Sequence, residues 1–201
     1  RAYVIDPLII LETPVKAQWA RSFRTDDIAE YAEAIAHFRR GELQLAGTKI
    51  NHLTATFPTD PYFHEFAGDI SLSGGDINAS ILSYRKVLDI SPDSPQVAVS
   101  LGRALIAAGT DAKLSEAIKV LEMAVAGEPD WAFAKRQLAI AYGRSGLVGT
   151  ADMLLAEEAM LRGNTEQAAR LARRALSYIN LPQNVQARAQ DVLFEVKNET
   201  D

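Results

Sequence analysis

Three prolines recur along the chain at near-equal intervals. They are Pro58, Pro92 and Pro129, 34 and then 37 residues apart. A proline lacks the helical N–H and its ring clashes with the preceding turn, so each one closes a helix. A fixed period of this size is the signature of stacked helical hairpins, none of which can bury its apolar face alone. The expected class is therefore all-α, and a binding surface is a better expectation than a catalytic pocket.

Placing the closing proline at position 32 of each repeat gives units 27–60, 61–94 and 95–131, the last with three extra residues. A divergent unit, 132–180, and a capping helix, 183–197, follow. Position 8 is small in every unit: Ala34, Gly68, Gly102 and Ala139. Position 20 is small as well, as Ala46, Ser80 and Ala117. These are the expected points of close approach between the two helices of a hairpin. Position 24 is large (Ile50, Tyr84, Leu121) and is expected to fill the space between hairpins. Glycines mark the turn inside each hairpin: Gly41, then Gly74-Gly75, then Gly109. Glycine just past a helix end supplies a left-handed cap. The extra residues of the third unit are placed at its Gly109-Thr110-Asp111 turn, where an insertion costs little. The spacing predicts helices over 27–40, 43–57, 61–73, 77–91, 95–108, 114–127, 131–145, 149–162, 165–179 and 183–197.

The pattern resembles the tetratricopeptide repeat, with its small residues, a Leu or Tyr at position 11 (Leu105, Tyr142) and a terminal proline. The first two units depart from it there, with His37 and Ser71. The resemblance implies a helical-hairpin solenoid with a C-terminal capping helix. Four stretches are similar to the C-terminal repeat domain of BepA-like zinc metalloproteases: Tyr31–Ala36, Asp60–Glu65, Arg136–Arg144 and Ala156–Gly163. That resemblance implies a periplasmic protein whose zinc sits in a separate protease domain. It implies client proteins or the outer-membrane assembly machinery as partners, and residues 1–26 as the junction with the protease. A stand-alone tetratricopeptide scaffold unrelated to proteolysis is the alternative.

Charge and composition narrow the partners. The 201 residues carry 26 acidic and 21 basic side chains, a net charge of −5. Nucleic-acid binders usually present a basic face, so nucleic acid is not expected. The absence of cysteine removes disulfides, thiolate metal sites and a thiol nucleophile. The chain begins at Arg1, so it is expected to be a fragment, a processed form or a trimmed one. The apolar run Tyr3-Val4-Ile5 and Leu8-Ile9-Ile10-Leu11 is broken by Asp6-Pro7 and is too short to span a membrane as a helix. An extended segment packed on a neighbouring domain or on the first hairpin is the expectation.

Catalytic patterns fail at defined places. A zinc protease needs two histidines one helical turn apart with a glutamate between. His64-Glu65 begins such a motif, but the place of the second ligand holds Gly68, and His37 and His52 have no histidine partner in sequence. Neither a phosphate-cradling loop nor a nucleophile elbow is present. The pairs Asp26-Asp27 and Glu157-Glu158 are read as helix-capping, structural or solvated carboxylates. The chain is expected to be non-catalytic and to carry no cofactor or metal.

In the tetratricopeptide stack that this chain resembles, positions 2, 5, 9 and 12 of the first helix of each hairpin line a concave face. In the first unit these are Ile28, Tyr31, Ile35 and Phe38, an apolar set expected to be covered by residues 1–25 or by the protease domain. The candidate groove for a protein or extended peptide comprises Tyr62, Glu65, Asp69, Val99, Arg103, Ile106, Phe133, Arg136, Ile140 and Arg144. Aromatics in this set serve as anchors, and arginines read carboxylates or backbone carbonyls.

Overall fold

The computed structural model describes residues 23–200, and among them ten helices and no strand. They are α1 (Thr25–Arg39), α2 (Leu43–Thr56), α3 (Pro61–Ser73), α4 (Ile77–Ile90) and α5 (Pro95–Ala108). The others are α6 (Asp111–Gly127), α7 (Ala132–Arg144), α8 (Val148–Leu161), α9 (Thr165–Leu176) and α10 (Gln183–Thr200). The expected extended segment near Tyr3–Leu11, and the junction up to residue 22, lie outside the described residues.

The prolines act as the period requires. Each stands two residues past a helix end, and the residue before it leaves the helix with the same geometry. Phe57, Ser91 and Glu128 have φ of −125°, −135° and −132° and ψ of 69°, 82° and 80°. A following proline disfavours the helical region for exactly this residue's backbone through clash with its ring. Helix starts are fixed by side-chain caps. Asp60 accepts hydrogen bonds from the backbone N–H of Tyr62 and Phe63, ahead of Pro61 at the first helical position. Asp76 and Asn164 accept in the same way from Ala79 and Gln167. At α1 the Asp27 carboxylate accepts from the Arg24 N–H at 3.1 Å, as the capping assignment of the Asp26-Asp27 pair anticipates.

The insertion in the third unit is placed differently from expectation. The turn there is only Gly109-Thr110, and α6 runs 17 residues, against 14 for α4. The three extra residues extend the helix by most of a turn, because Thr110 caps it early through the Lys113 N–H.

The chain forms two compact units, one up to Pro92 and one from Asp93 onward. In the first, Ala46, Ile50, Leu53, Phe63, Ala67 and Ile70 form the core. Phe23, Tyr31, Phe38, Phe57 and Phe66 pack around it, with ring centroids 4.9 to 5.7 Å apart. The apolar face of α1 is thus covered in part from within this unit: Tyr31 and Phe38 lie against Phe63 and Phe66 of α3.

Position 24 has a different neighbour from the one expected. Tyr84 and Leu121 do not merely fill space between hairpins; each lies over the position 8 glycine of its own hairpin. A Cβ on Gly68 would come within 2.5 Å of the Tyr84 ring, and one on Gly102 within 2.5 Å of Leu121 Cγ. The Tyr84 hydroxyl then reaches Asp69 at 2.7 Å and ties α4 to α3.

The second unit breaks the period by half a repeat. Its turn glycines with left-handed φ are Gly109, Gly146 and Gly163, so the last two are 17 residues apart. One helix therefore belongs to two hairpins: α8 is the second helix for α7 and the first helix for α9. Its sequence suits that double duty. Ala151, Met153, Leu154, Ala156 and Ala159 are buried on several sides, as a helix with neighbours all round demands. α10 then packs on both α8 and α9, through Val185, Ala189 and Val192. Burial of each valine contributes about 1.5–3 kcal/mol. The divergent stretch 132–180 is two overlapping hairpins that share a helix, and α10 covers the open end.

Candidate peptide-binding face

In the first unit, Tyr62, Glu65 and Asp69 fall three and four residues apart on α3, and all three are half-buried. Asp69 is engaged by the Tyr84 hydroxyl, so part of its role is to hold the hairpin. Tyr31, whose ring packs on Phe63 and Phe66, is held well above the usual phenol range. Burial is the main cause, and the negative charges of Glu65, Asp60 and Asp69 add to it. This face is acidic.

The face in the second unit is of opposite sign. α5 and α7 together contain Arg103, Lys135, Arg136 and Arg144 and no aspartate or glutamate. Phe133, Arg136 and Ile140 share one stripe of α7, with Phe133 42% and Ile140 41% exposed. The Arg103 guanidinium sits 5.9 Å from the centre of the Phe133 ring, and Trp131 packs 6.1 Å from the same ring. A cation over an aromatic face is worth about 0.5–1 kcal/mol at an exposed site. Arg103 has no ion pair among the described residues.

Arg136 leads to one of the paired carboxylates, Glu158. It meets Glu158 Oε1 at 3.1 Å, and Arg162 meets the same oxygen at 3.1 Å. Glu158 is 3% exposed and its Oε2 is buried without a partner. Its neighbour Glu157 turns the other way. Lys135 reaches it at 2.8 Å, and Arg188 of α10 forms a forked pair at 2.8 and 2.7 Å. Burial opposes ionisation of Glu157, but the bonds from Arg188 and Lys135 outweigh it and hold the carboxyl below its usual range. Asp152, also buried, takes a forked pair from Arg174. Of the structural and solvated alternatives for Glu157-Glu158, the structural one describes both residues.

A usable signal existed for these pairs. Lys135–Glu157, Asp152–Arg174 and Glu30–His52 are each 22 residues apart, and each joins position 4 of a hairpin to position 26. The hairpin geometry brings these two positions together wherever it repeats. Arg136–Glu158 has the same spacing one residue on.

Two members of the candidate groove leave the open face, and a third, Arg144, stays exposed but is engaged within the fold. Val99 is 2% and Ile106 8% exposed, because α7 packs on α5 as well as on α6. Arg144 donates to the Ile106 carbonyl at 2.5 Å and lies against Gly109. It completes the last turn of α5, whose carbonyls have no partner within the helix. The histidines have local partners: His64 meets the Pro58 carbonyl at 3.0 Å, His37 meets Glu42 at 2.6 Å and His52 meets Glu30 at 2.7 Å. Among the described residues no three acidic or histidine side chains converge as a metal-ligand set. No described helix is long and apolar enough to cross a membrane.

The hairpins match solved structures. The chain superposes on MamA of Desulfovibrio magneticus, residues 41 to the end, with a TM-score of 0.66 at 18% identity, covering 89% of this chain and 98% of that one. A thermophilic tetratricopeptide protein of Thermus thermophilus gives 0.52 at 16% identity, over 84% and 99% of the two chains. The fold is the tetratricopeptide-repeat fold. In sequence, the tetratricopeptide repeat-containing thioredoxin TTL4 of Arabidopsis thaliana is 29% identical over 113 residues. The match takes in 55% of this chain but only 16% of that protein's length. No protein-family model matches the chain. Repeat arrays of this kind use their surfaces to bind other proteins.

Proposed function

We propose that this chain is a non-catalytic protein-interaction module whose second unit engages a partner through the exposed stripe of α5 and α7. The row Arg103, Phe133, Arg136 and Ile140 carries this reading, because it combines open apolar surface with cations on helices that hold no acid. Such a mixture of aromatic anchor and arginine is the composition of binding hot spots. A photo-crosslinking residue at 133 or 140 captures protein partners, whereas one at Met123, exposed on α6, does not. Equal capture at all three positions refutes the face.

The wider setting we propose is the repeat domain of a periplasmic BepA-like metalloprotease. Zinc and catalysis would reside in a separate domain, and the partners would be client proteins or outer-membrane assembly components. The four similar stretches support it. The stand-alone scaffold reading remains beside it, since the structural neighbours share the fold alone. The open reading frame upstream of Arg1 separates them: a signal sequence and His-Glu-x-x-His favour the protease, and their absence favours the scaffold.

A further inference from the structure

We infer that the face on α5 and α7 selects an acidic, extended peptide segment, one that alternates carboxylate and apolar side chains. The inference rests on the interaction reading above and names the partner's chemistry. Charge complementarity carries it. In a chain of net charge −5, α5 and α7 carry four cations and no carboxylate. Two of the four are committed elsewhere, Lys135 to Glu157 and Arg144 to the Ile106 carbonyl. Arg103 and Arg136 remain on the open stripe, on either side of Phe133 in the order of contacts.

Glu158 does not cancel this charge; it fixes where the charge stands. Its one engaged oxygen holds Arg136 and Arg162 together, and both guanidinium groups stay about half exposed. An arginine fork has five N–H donors, so each keeps donors free for a second carboxylate. Three arginines against one buried carboxylate leave a net positive row. Two acids precede α7: Asp130, which is exposed, and Glu128, which accepts from the Gln96 side-chain amide at 2.5 Å; both lie in the connection before the helix and not on the stripe. Phe133 and Ile140, about two turns apart on the same stripe with Arg136 between them, offer apolar contact beside the cations. An extended strand presents alternate side chains to a surface, which suits a carboxylate–apolar alternation.

The test is fluorescence anisotropy with three labelled 12-residue peptides on the full chain. One alternates Glu with Leu and Phe, one carries Gln for each Glu, and one carries Lys. The expected order is acidic, then Gln, then Lys, and the acidic affinity falls steeply between 50 and 300 mM salt. Arg103→Glu weakens the acidic peptide at least tenfold, and Arg136→Gln, which keeps a donor for Glu158, weakens it several-fold. Arg170→Glu on the exposed face of α9 leaves it within twofold. Equal binding of the acidic and Gln peptides overturns the inference while leaving the interaction face intact if 133 and 140 still crosslink. Equal loss in Arg103→Glu and Arg170→Glu shows a net-charge effect and overturns it. No binding of any peptide, together with no position-specific crosslinks, overturns both readings.

Discussion

Gly102 provides a severe test of how the hairpins close. Gly102→Ala should gain about 0.8–1 kcal/mol from helix propensity if nothing opposes it. The added Cβ, however, would stand 2.5, 2.7 and 2.9 Å from three carbons of Leu121, where about 3.5–4.0 Å is the optimum for carbon pairs. Leu121 is fully buried and has no open space to swing into. Overpacking of this kind costs roughly 1–3 kcal/mol, so the propensity gain is cancelled and the net change is a destabilisation of up to about 2 kcal/mol. Two controls isolate the cause. Gly47, also mid-helix, has its nearest neighbour at 4.0 Å, so Gly47→Ala should stabilise by about 0.5–1 kcal/mol. In a Leu121→Ala background the obstruction is gone, and Gly102→Ala should turn neutral or stabilising. Urea unfolding of the four variants and the parent, with slopes compared to check that the same surface unfolds, measures the cycle. A Gly102→Ala cost that is the same with and without Leu121 refutes direct packing of position 24 on position 8.

Other expectations concern the charges around α8. Removing both cations, as Arg136→Ala with Arg162→Ala, strands the Glu158 carboxylate and should cost about 3 kcal/mol in urea unfolding, the low end for a broken buried pair because the arginines are half exposed. Adding Glu158→Met should recover at least half of it; no recovery means the cost lies elsewhere. The folded-state pKa of Glu157 lies below its ordinary 4.5, although burial alone would raise it, because Arg188 and Lys135 stabilise the charge. That contribution is present above the ordinary value and is lost as pH falls through the depressed one. Hydrogen exchange in α10, corrected for intrinsic rate, should therefore speed up below about pH 4.5, and Glu157→Gln should remove the pH dependence. Gly146 has φ of 81° with open space around a Cβ, so Gly146→Ala should cost only the backbone term, about 1 kcal/mol in urea unfolding. A larger loss would mean that the turn is sterically enclosed.

How much of this was legible follows from which residues carry a local rule. Proline and glycine act on their own backbone, so Pro58, Pro92 and Pro129 set three helix ends to within a residue or two. The small residues at position 8 were equally readable, although the partner pressing on them was not: spacing alone cannot tell whether Tyr84 points back into its own hairpin or on to the next. The candidate face was only half readable for the same reason. Val99 and Arg103 sit four residues apart on one helix, yet α7 covers the first and leaves the second open. The partners of the buried carboxylates were missed because neighbouring residues on a helix were treated separately from residues one hairpin away. The recurring 22-residue distance shows that the repeat carries its own long-range code. It also accounts for the half-step at α8: Glu157 closes the α7 hairpin from position 26, and Asp152 opens the α9 hairpin from position 4, so one helix holds both ends of the rule. An array read through those charge pairs would have located the shared helix, whereas an array read through prolines loses count after Pro129.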